Sequence, residues 1–404
     1  MKKTKSVRRS HADRGFTLVE LMIAMAIGLI VTLAVTTMIV VSQSHERVTT
    51  GANDMNQGGA FTASILDNSV RSAGAGFSQY WNQGVIGCRL NAERSGTHIL
   101  PRSSALPAPF EKVMGGAGVS DLRLAPLLIA QGQSAGASDV LLVMSGLTNV
   151  GDVPREIRSY STADNKLFMK NTVSLHQGDV IVISREGTTD CIVTQVDGGA
   201  SPFEDTPGQD TLPLGGTFFS EQSRDGNTSL TDLALNSSGR TKLSAIGNVN
   251  NVQLQAFGVG ADQVLYRYDL LQSNDRDASE PVAEGVVAMR AVYGVASDLD
   301  QASSMPAPVW EAPADDFALD ALIAQSPPER IRSIVAVRVS MLVRSSVRQP
   351  SLVADESYTL LADLPGDSTV RLAESERHFA HRIFETTIPM RSMMVRLLPK
   401  GETQ

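Results

Sequence analysis

The stretch RGFTLVELMIAMAIGLIVTLAVTTMIVV, residues 14–41, decides how the rest of the chain is understood. From Phe16 to Val41 the only charged side chain is Glu20. As an α-helix this run is about 39 Å long, against a bilayer hydrocarbon core of about 30 Å, so it is expected to span a membrane over residues 16–41. Two simpler readings fit less well. A cleaved secretory signal has an apolar core of about 7–15 residues followed by a small-residue cleavage site. Here the run is longer, and the best cleavage candidate, Gly15, precedes it. A plain anchor fits the length but leaves Glu20 in lipid, at about 2.5–3.5 kcal/mol for a mid-membrane charge. Glu20 lies about one turn into the run, so snorkelling lowers that cost, which still calls for a partner of opposite charge.

Charge is unevenly spread. Lys2, Lys3, Lys5, Arg8, Arg9 and Arg14 stand against Asp13 in residues 1–15, whereas the whole chain carries a net charge of -8. The basic end should stay cytoplasmic, which puts the body on the other side of the membrane. An acidic body argues against a general nucleic-acid surface, because phosphate binding needs clustered Lys and Arg. With 404 residues, 42% hydrophobic and 19% charged, the chain is long and apolar enough for a globular body. Cys88 and Cys191 lack metal-ligand spacing. In an exported body they read first as one disulfide, with two free buried thiols as the alternative.

Beyond the membrane run, Val48, Ala52, Met55, Ile65, Leu66, Val70 and Ala73 recur at three-, four- or seven-residue intervals, which predicts that the helix continues to about residue 75. Gly51, Gly58 and Gly59 are expected to interrupt it, each costing up to about 1 kcal/mol relative to alanine, and Gly74-Ala75-Gly76 ends the pattern. The signals then change to strands: 139–145, 178–184, 191–196, 263–270, 285–295, 333–344 and 382–390. The stretch REGTTD between the second and third suggests a hairpin. In 263–270, alternation sets Val264, Tyr266, Tyr268 and Leu270 on one face; in 333–344 it sets Val335, Val337, Val339, Met341 and Val343 on the core face of a half-buried strand. Residues 201–250 and 296–328 are rich in Ser, Asp, Pro and Gly and read as loops or insertions.

Gly15-Phe16-Thr17-Leu18-Val19-Glu20, after a basic leader and before an unbroken apolar helix, resembles the type III signal of type IV pilins and type II secretion pseudopilins. The segments FTASILDNSVRSAGAGF (61–77), GCRL (87–90), EPVAEGVVAMRAVYGV (280–295), PERIRSIVAVRVSMLVRSS (328–346) and RIFETTIPMRS (382–392) resemble the PilW family of minor pilins, with Cys88 at the family's early cysteine. The resemblance implies an α+β, type IV pilin-like fold: a leader over 1–15, an N-terminal helix over 16–75, transmembrane in its first half, and a β-rich head of antiparallel strands over 76–404. It further implies that a prepilin peptidase cuts between Gly15 and Phe16 and methylates Phe16. Glu20, then the fifth residue of the mature chain, would pair with a neighbouring subunit's N-terminal ammonium and fix the axial register of packed helices. The implied partners are other minor pilins, the major pilin and the inner-membrane assembly platform; the implied place is the inner membrane, body periplasmic, and then the fibre. The implied role is initiation of pilus assembly, including at the tip, in support of twitching motility, adhesion or DNA uptake, with no enzymatic activity and no cofactor. A minor pseudopilin of type II secretion shares the signal, and a membrane-anchored periplasmic enzyme is a more distant alternative. Where the family often carries an Asp-rich loop after YGV, this chain has ASDLDQASS (296–304) with only Asp298 and Asp300, so no calcium site is carried over.

Other chemistry has bland readings. Gly132-Gln133-Ser134-Ala135-Gly136 fits G-x-S-x-G, but a nucleophile elbow needs a following helix, and the next segment reads as a strand, so Ser134 is expected in a turn. His378 and His381 stand at i, i+3 without a neighbouring carboxylate or cysteine set and are expected to be polar surface rather than metal ligands. Asp275, Asp277 and Glu280 lack the glycine and spacing of a calcium loop. Gly258-Val259-Gly260 lacks the final glycine of a dinucleotide loop.

Overall fold

The computed structural model describes residues 17–78, 85–114, 121–146, 155–206, 208–235, 240–271, 278–296, 307–324, 329–364 and 368–394. The chain divides into two compact units, residues 1–53 and 54–404.

Helix α1 runs Leu18–Arg71. In the first unit its side chains from Leu18 to Val41 are all exposed. The hydroxyls of Thr32, Thr36 and Thr37 donate to the carbonyls of Gly28, Thr32 and Ala34, so these polar groups are satisfied within the helix. In the second unit α1 carries one buried stripe, Met55, Gly59, Thr62, Leu66 and Val70, at the three- and four-residue spacing of a single helix face.

The expected interruption at Gly51, Gly58 and Gly59 is corrected: the helix continues through all three. A glycine costs about 1 kcal/mol in a helix, whereas burying one Leu or Val side chain contributes about 1.5–3 kcal/mol. Leu66 and Val70 alone outweigh the penalties of the glycines in the second unit. At Gly59 the missing side chain has a use, because a Cβ there would lie 2.4 Å from the ring of Phe384. The helix ends where expected. Gly74 and Gly76 adopt φ of 81° and 89°, and a Cβ on Gly76 would meet the Ala245 carbonyl at 2.4 Å.

The described strands of the head are β1 (Arg89–Arg94), β2 (Thr97–Leu100), β3 (Leu127–Ala130), β4 (Val140–Ser145), β5 (Arg155–Ser161), β6 (Lys166–Met169), β7 (Asp179–Arg185), β8 (Asp190–Gln195), β9 (Thr211–Pro213) and β10 (Thr241–Asn248). They continue with β11 (Gln253–Val259), β12 (Val264–Asp269), β13 (Glu280–Glu284), β14 (Val286–Val295), β15 (Val309–Glu311), β16 (Ile334–Arg348), β17 (Ser357–Thr359), β18 (Thr369–Arg371) and β19 (Phe379–Pro389). Short helices α2 (Leu230–Ala234), α3 (Leu319–Ala324), α4 (Glu329–Ser333) and α5 (Arg391–Met394) lie between or after them.

These form an eight-stranded sheet in the order β2-β1-β8-β7-β10-β5-β6-β9, a five-stranded sheet β13-β12-β11-β4-β3, a four-stranded sheet β15-β14-β16-β19 and a small β17-β18 pair. Most pairings are antiparallel; β1 with β8 is parallel. One core unites Leu66 and Val70 of α1 with β4, β11, β14 and β16, and a second fills the far side of the eight-stranded sheet with Ile157, Ile183, Ile192 and Leu243. This is the α+β layout expected from the sequence: a long N-terminal apolar helix and a β-rich head.

The REGTTD hairpin forms as β7 and β8. Three other readings are corrected. Residues 201–250 are not merely loop: β10 is an interior strand, paired to β7 and β5, and β9 and α2 also fall there. Its alternation is broken by a bulge at Gly247, where the register shifts, so no clean period of two survives in the sequence. In β12, Leu265 is fully buried while Val264 and Tyr266 are half-buried, the reverse of the predicted phase at that end, because Leu265 enters the main core. In β16, Val335, Val337, Val339, Met341 and Val343 face the main core as expected, but Ser340 and Leu342 on the other face are also buried. Residues 349–364 and 368–378 fold back over that face, where Ala354, Leu360 and Leu372 form a separate cluster with Ala288 and Leu342.

Candidate functional site

The peptide bond between Gly15 and Phe16 lies outside the described residues. Glu20 lies in the first turn of α1, exposed, with its amide donating to Thr17 Oγ1 at 3.3 Å. The hydroxyl of Thr17 thus satisfies one of the open amides of the first turn. A carboxylate in the first turn also complements the helix dipole. Around it Leu18, Val19, Leu21, Met22 and Ile23 are all more than half exposed, so one negative charge stands in a continuous apolar surface. That surface offers a single charged contact and otherwise packing alone.

The head is locked covalently next to the start of its first sheet. Cys88 and Cys191 are disulfide-bonded with Cα atoms 5.7 Å apart, and both are buried. The pairing of β1 with β8 sets Leu90 opposite Cys191, which brings Cys88 within reach. The residues that flank the cysteines form an ion pair: Arg89 Nε lies 2.5 Å from Asp190 Oδ1, and its Nη2 lies 3.0 Å from Oδ2. Arg89 also bonds Asp225 at 2.8 Å, and Asn91 donates to Asp190 Oδ1 at 3.0 Å. The hydrogen bond that Arg89 donates to Asp190 holds the guanidinium above its ordinary range. Asp225 is held well below the usual carboxylate range, first by the Ser223 hydroxyl, then by the Asn227 amide and Arg89. The cysteines stand out in the sequence; the Arg89–Asp190 pair becomes visible only once β1 and β8 are side by side.

A second buried polar cluster joins the sheets. Asp139 accepts from the amides of Gly132 at 2.9 Å and Ala291 at 2.8 Å, tying the β3–β4 connection to β14. Burial raises its pKa, with the two amides opposing. The Tyr293 hydroxyl accepts from the Ile129 amide, and burial raises its pKa as well. Ser134 sits in the same connection. Its hydroxyl donates to the Ser138 carbonyl at 3.0 Å and accepts from the Val259 amide at 3.2 Å, which is the work of a turn residue. The following residues make one short 3-10 turn, Ala135–Ala137, and then β4, so the helix of a nucleophile elbow is absent there.

Two neighbouring cavities of about 550 and 560 Å³ share Lys112 and Gln133. Tyr266 lines the first and donates to Asp262 at 2.7 Å; a Cβ on Gly260 would meet its ring, so Gly260 serves packing rather than a phosphate loop. Asp275, Asp277, Asp298 and Asp300 lie outside the described residues. Glu280 pairs with Arg267 at 2.6 Å. His378 and His381 point their Nδ1 atoms at different carbonyls, Gln349 and Phe379, rather than at a shared site. Among the described residues no group of three or more His, Cys, Asp or Glu side chains is placed to hold a metal ion.

Residues 251–392 match the family model described as type IV pilus-assembly protein W, and residues 10–36 match the prokaryotic N-terminal methylation motif. The first match covers β11 to β19 and the start of α5; the second covers the residues just ahead of α1 and its first turns. No curated protein and no solved structure matches the chain.

Proposed function

We propose that this chain, a pilin-like protein of the PilW family, is a minor structural subunit that helps to initiate type IV pilus assembly and acts by assembly rather than catalysis. The observation that carries this reading is the exposed apolar stretch of helix Leu18–Val41, which bears one carboxylate and falls mostly within the methylation-motif match. An apolar surface of this kind is stable in lipid or against other apolar helices. The same segment therefore serves twice, holding the subunit in the inner membrane with its body periplasmic and then packing into the fibre.

In this reading residues 1–15 are a leader removed between Gly15 and Phe16, Phe16 is methylated, and residues 16–41 are the membrane-spanning part of the helix. Glu20 pairs with the N-terminal ammonium of a neighbouring subunit and sets helix register. The prepilin peptidase, other minor pilins, the major pilin and the assembly platform are the partners. The chain is large for a repeated shaft subunit, which favours a place at the tip, where it supports twitching motility, adhesion or DNA uptake. The test is a deletion strain, with and without a retraction defect, scored for surface pili. Pili restored by blocking retraction and by the wild-type chain support an initiation role; undiminished pili in the retracting deletion strain overturn it.

A further inference from the structure

The cover over the outer face of the four-stranded sheet is built as a flap. Strands β16 and β19 form one long hairpin, paired from Ala336–Pro389 up to Arg348–Phe379, and the described parts of its connection are residues 349–364 and 368–378. The two ends of this connection leave side by side, closed by the Gln349 amide donating to the His378 carbonyl at 2.8 Å. Inside the cover, β17 pairs with β18, the amides of Val353 and Ala354 donate to the Arg377 carbonyl, and Leu372 donates to Glu356. The cover thus satisfies much of its own backbone. Among the described residues it is fastened to the sheet by the small apolar cluster around Leu342 and Leu360 and by the ion pairs Arg344–Glu376 at 2.9 Å and Arg338–Asp363 at 2.8 Å.

An imidazole sits under this cover. His381 on β19 lies opposite Arg344 of β16, with its ring centroid 5.8 Å from that of Tyr358 on β17. Its Nδ1 is 2.9 Å from the Phe379 carbonyl, which assigns the ring proton there and leaves Nε2 as an acceptor. Nε2 is buried and has no hydrogen-bond partner. The charged groups facing the ring are Arg344, which stacks on Phe379 at 4.3 Å, and Glu376 of the turn before β19; the phenol of Tyr358 covers it, and His378 lies at the neck. A proton on Nε2 would create a buried N–H with no acceptor placed for it and a second cation beside Arg344, with Glu376 as the opposing charge.

We propose that the described parts of the cover, residues 349–364 and 368–378, are an acid-released flap held down while His381 is neutral, and lifted from the outer face of β14, β16 and β19 when the imidazole takes up a proton. Burial, the largest influence on His381, lowers its pKa; the Phe379 carbonyl and Glu376 oppose it, and Arg344 adds to it. A group whose pKa is depressed in the closed state stabilises that state above its free value, near 6.5, and the stabilisation is lost as pH falls. A single linked proton changes the opening equilibrium by up to about tenfold per pH unit.

The test is hydrogen exchange by mass spectrometry on the full chain in detergent micelles at pH 7.5 and 5.0, with rates corrected for intrinsic exchange. In the wild type, peptides within 349–364 and 368–378 should lose protection at pH 5.0, by up to about tenfold per pH unit below 6.5, while peptides from β14 and β16 keep theirs. His381→Phe should abolish that loss. If His381→Phe does not fold, as judged by near-ultraviolet circular dichroism, His381→Gln is read in the same way. Unchanged protection of the cover in the wild type overturns the proposal, as does an equal loss in a folded His381 variant.

Discussion

Two stretches of the same helix meet opposite surroundings. Between Leu18 and Val41 every side chain is exposed, up to 76% at Met38, whereas Leu66 and Val70, in the part belonging to the head, are fully buried. Apolar area removed from water is worth about 25 cal/mol per Å², so the second stretch is stabilised by its own chain while the first waits for lipid or a neighbouring subunit. Composition shows the difference in advance. The first stretch is apolar all round, as a membrane or bundle helix must be; the second has one apolar stripe, as a helix lying on a core must. The first should therefore control assembly without touching head stability, and the second the reverse.

The largest expected effect tests the first half of that comparison. Glu20→Ala should leave the urea-unfolding midpoint of the head unchanged and leave leader removal intact, while surface pili fall to about a tenth or less, as for loss of a buried, desolvated ion pair of several kcal/mol. Immunoblots of processing and electron-microscopic pilus counts measure the two outcomes separately. Normal pilus numbers would end the register role of Glu20; a shifted unfolding midpoint would end the independence of the two stretches.

On the head side, replacing both cysteines with alanine should lower the unfolding free energy by about 2–5 kcal/mol, since the loop closed between Cys88 and Cys191 is long. Urea titration of the variant against the oxidised wild type reads this directly. Equal midpoints would show that the packing around Arg89 and Asp190 holds β1 to β8 without the bond.

What was legible in the sequence follows from how local each feature is. The apolar helix from Leu18, the buried stripe of α1, the β7–β8 hairpin and the core face of β16 are written in periods of neighbouring residues, and each is found in place. The burial of Ser340 and Leu342 is not local, because the cover arrives from residues 349–364 and 368–378. Nor is the interior position of β10, whose Lys242 reads as loop chemistry until Glu156 of β5 is found 3.1 Å from its Nζ. For the candidate site the same division holds. Glu20 and the cysteines are conspicuous by type, whereas Asp190, Asp139 and the buried Nε2 of His381 acquire meaning only from partners distant in sequence, or from lacking one.

The smallest effects give the finest division, between two adjacent glycines. A Cβ on Gly58 would meet nothing within 4 Å, whereas one on Gly59 would lie 2.4 Å from the Phe384 ring, which is itself stacked by Arg382 at 5.5 Å. Both substitutions gain about 1 kcal/mol of helix propensity on going to alanine. At Gly59 overpacking costs about 1–3 kcal/mol, which outweighs that gain, so Gly59→Ala should destabilise the head. Gly58→Ala should stabilise it, by about 0.5–1 kcal/mol, since nothing opposes the propensity term. The cause at Gly59 can be isolated by repeating that change in a Phe384→Ala background, where the clash is gone and the sign should reverse. Urea midpoints of the four variants decide it. Gly59→Ala that stays destabilising without the Phe384 ring would mean that the helix needs a glycine there for its backbone, and the stripe of α1 would then owe its fit to something other than close approach.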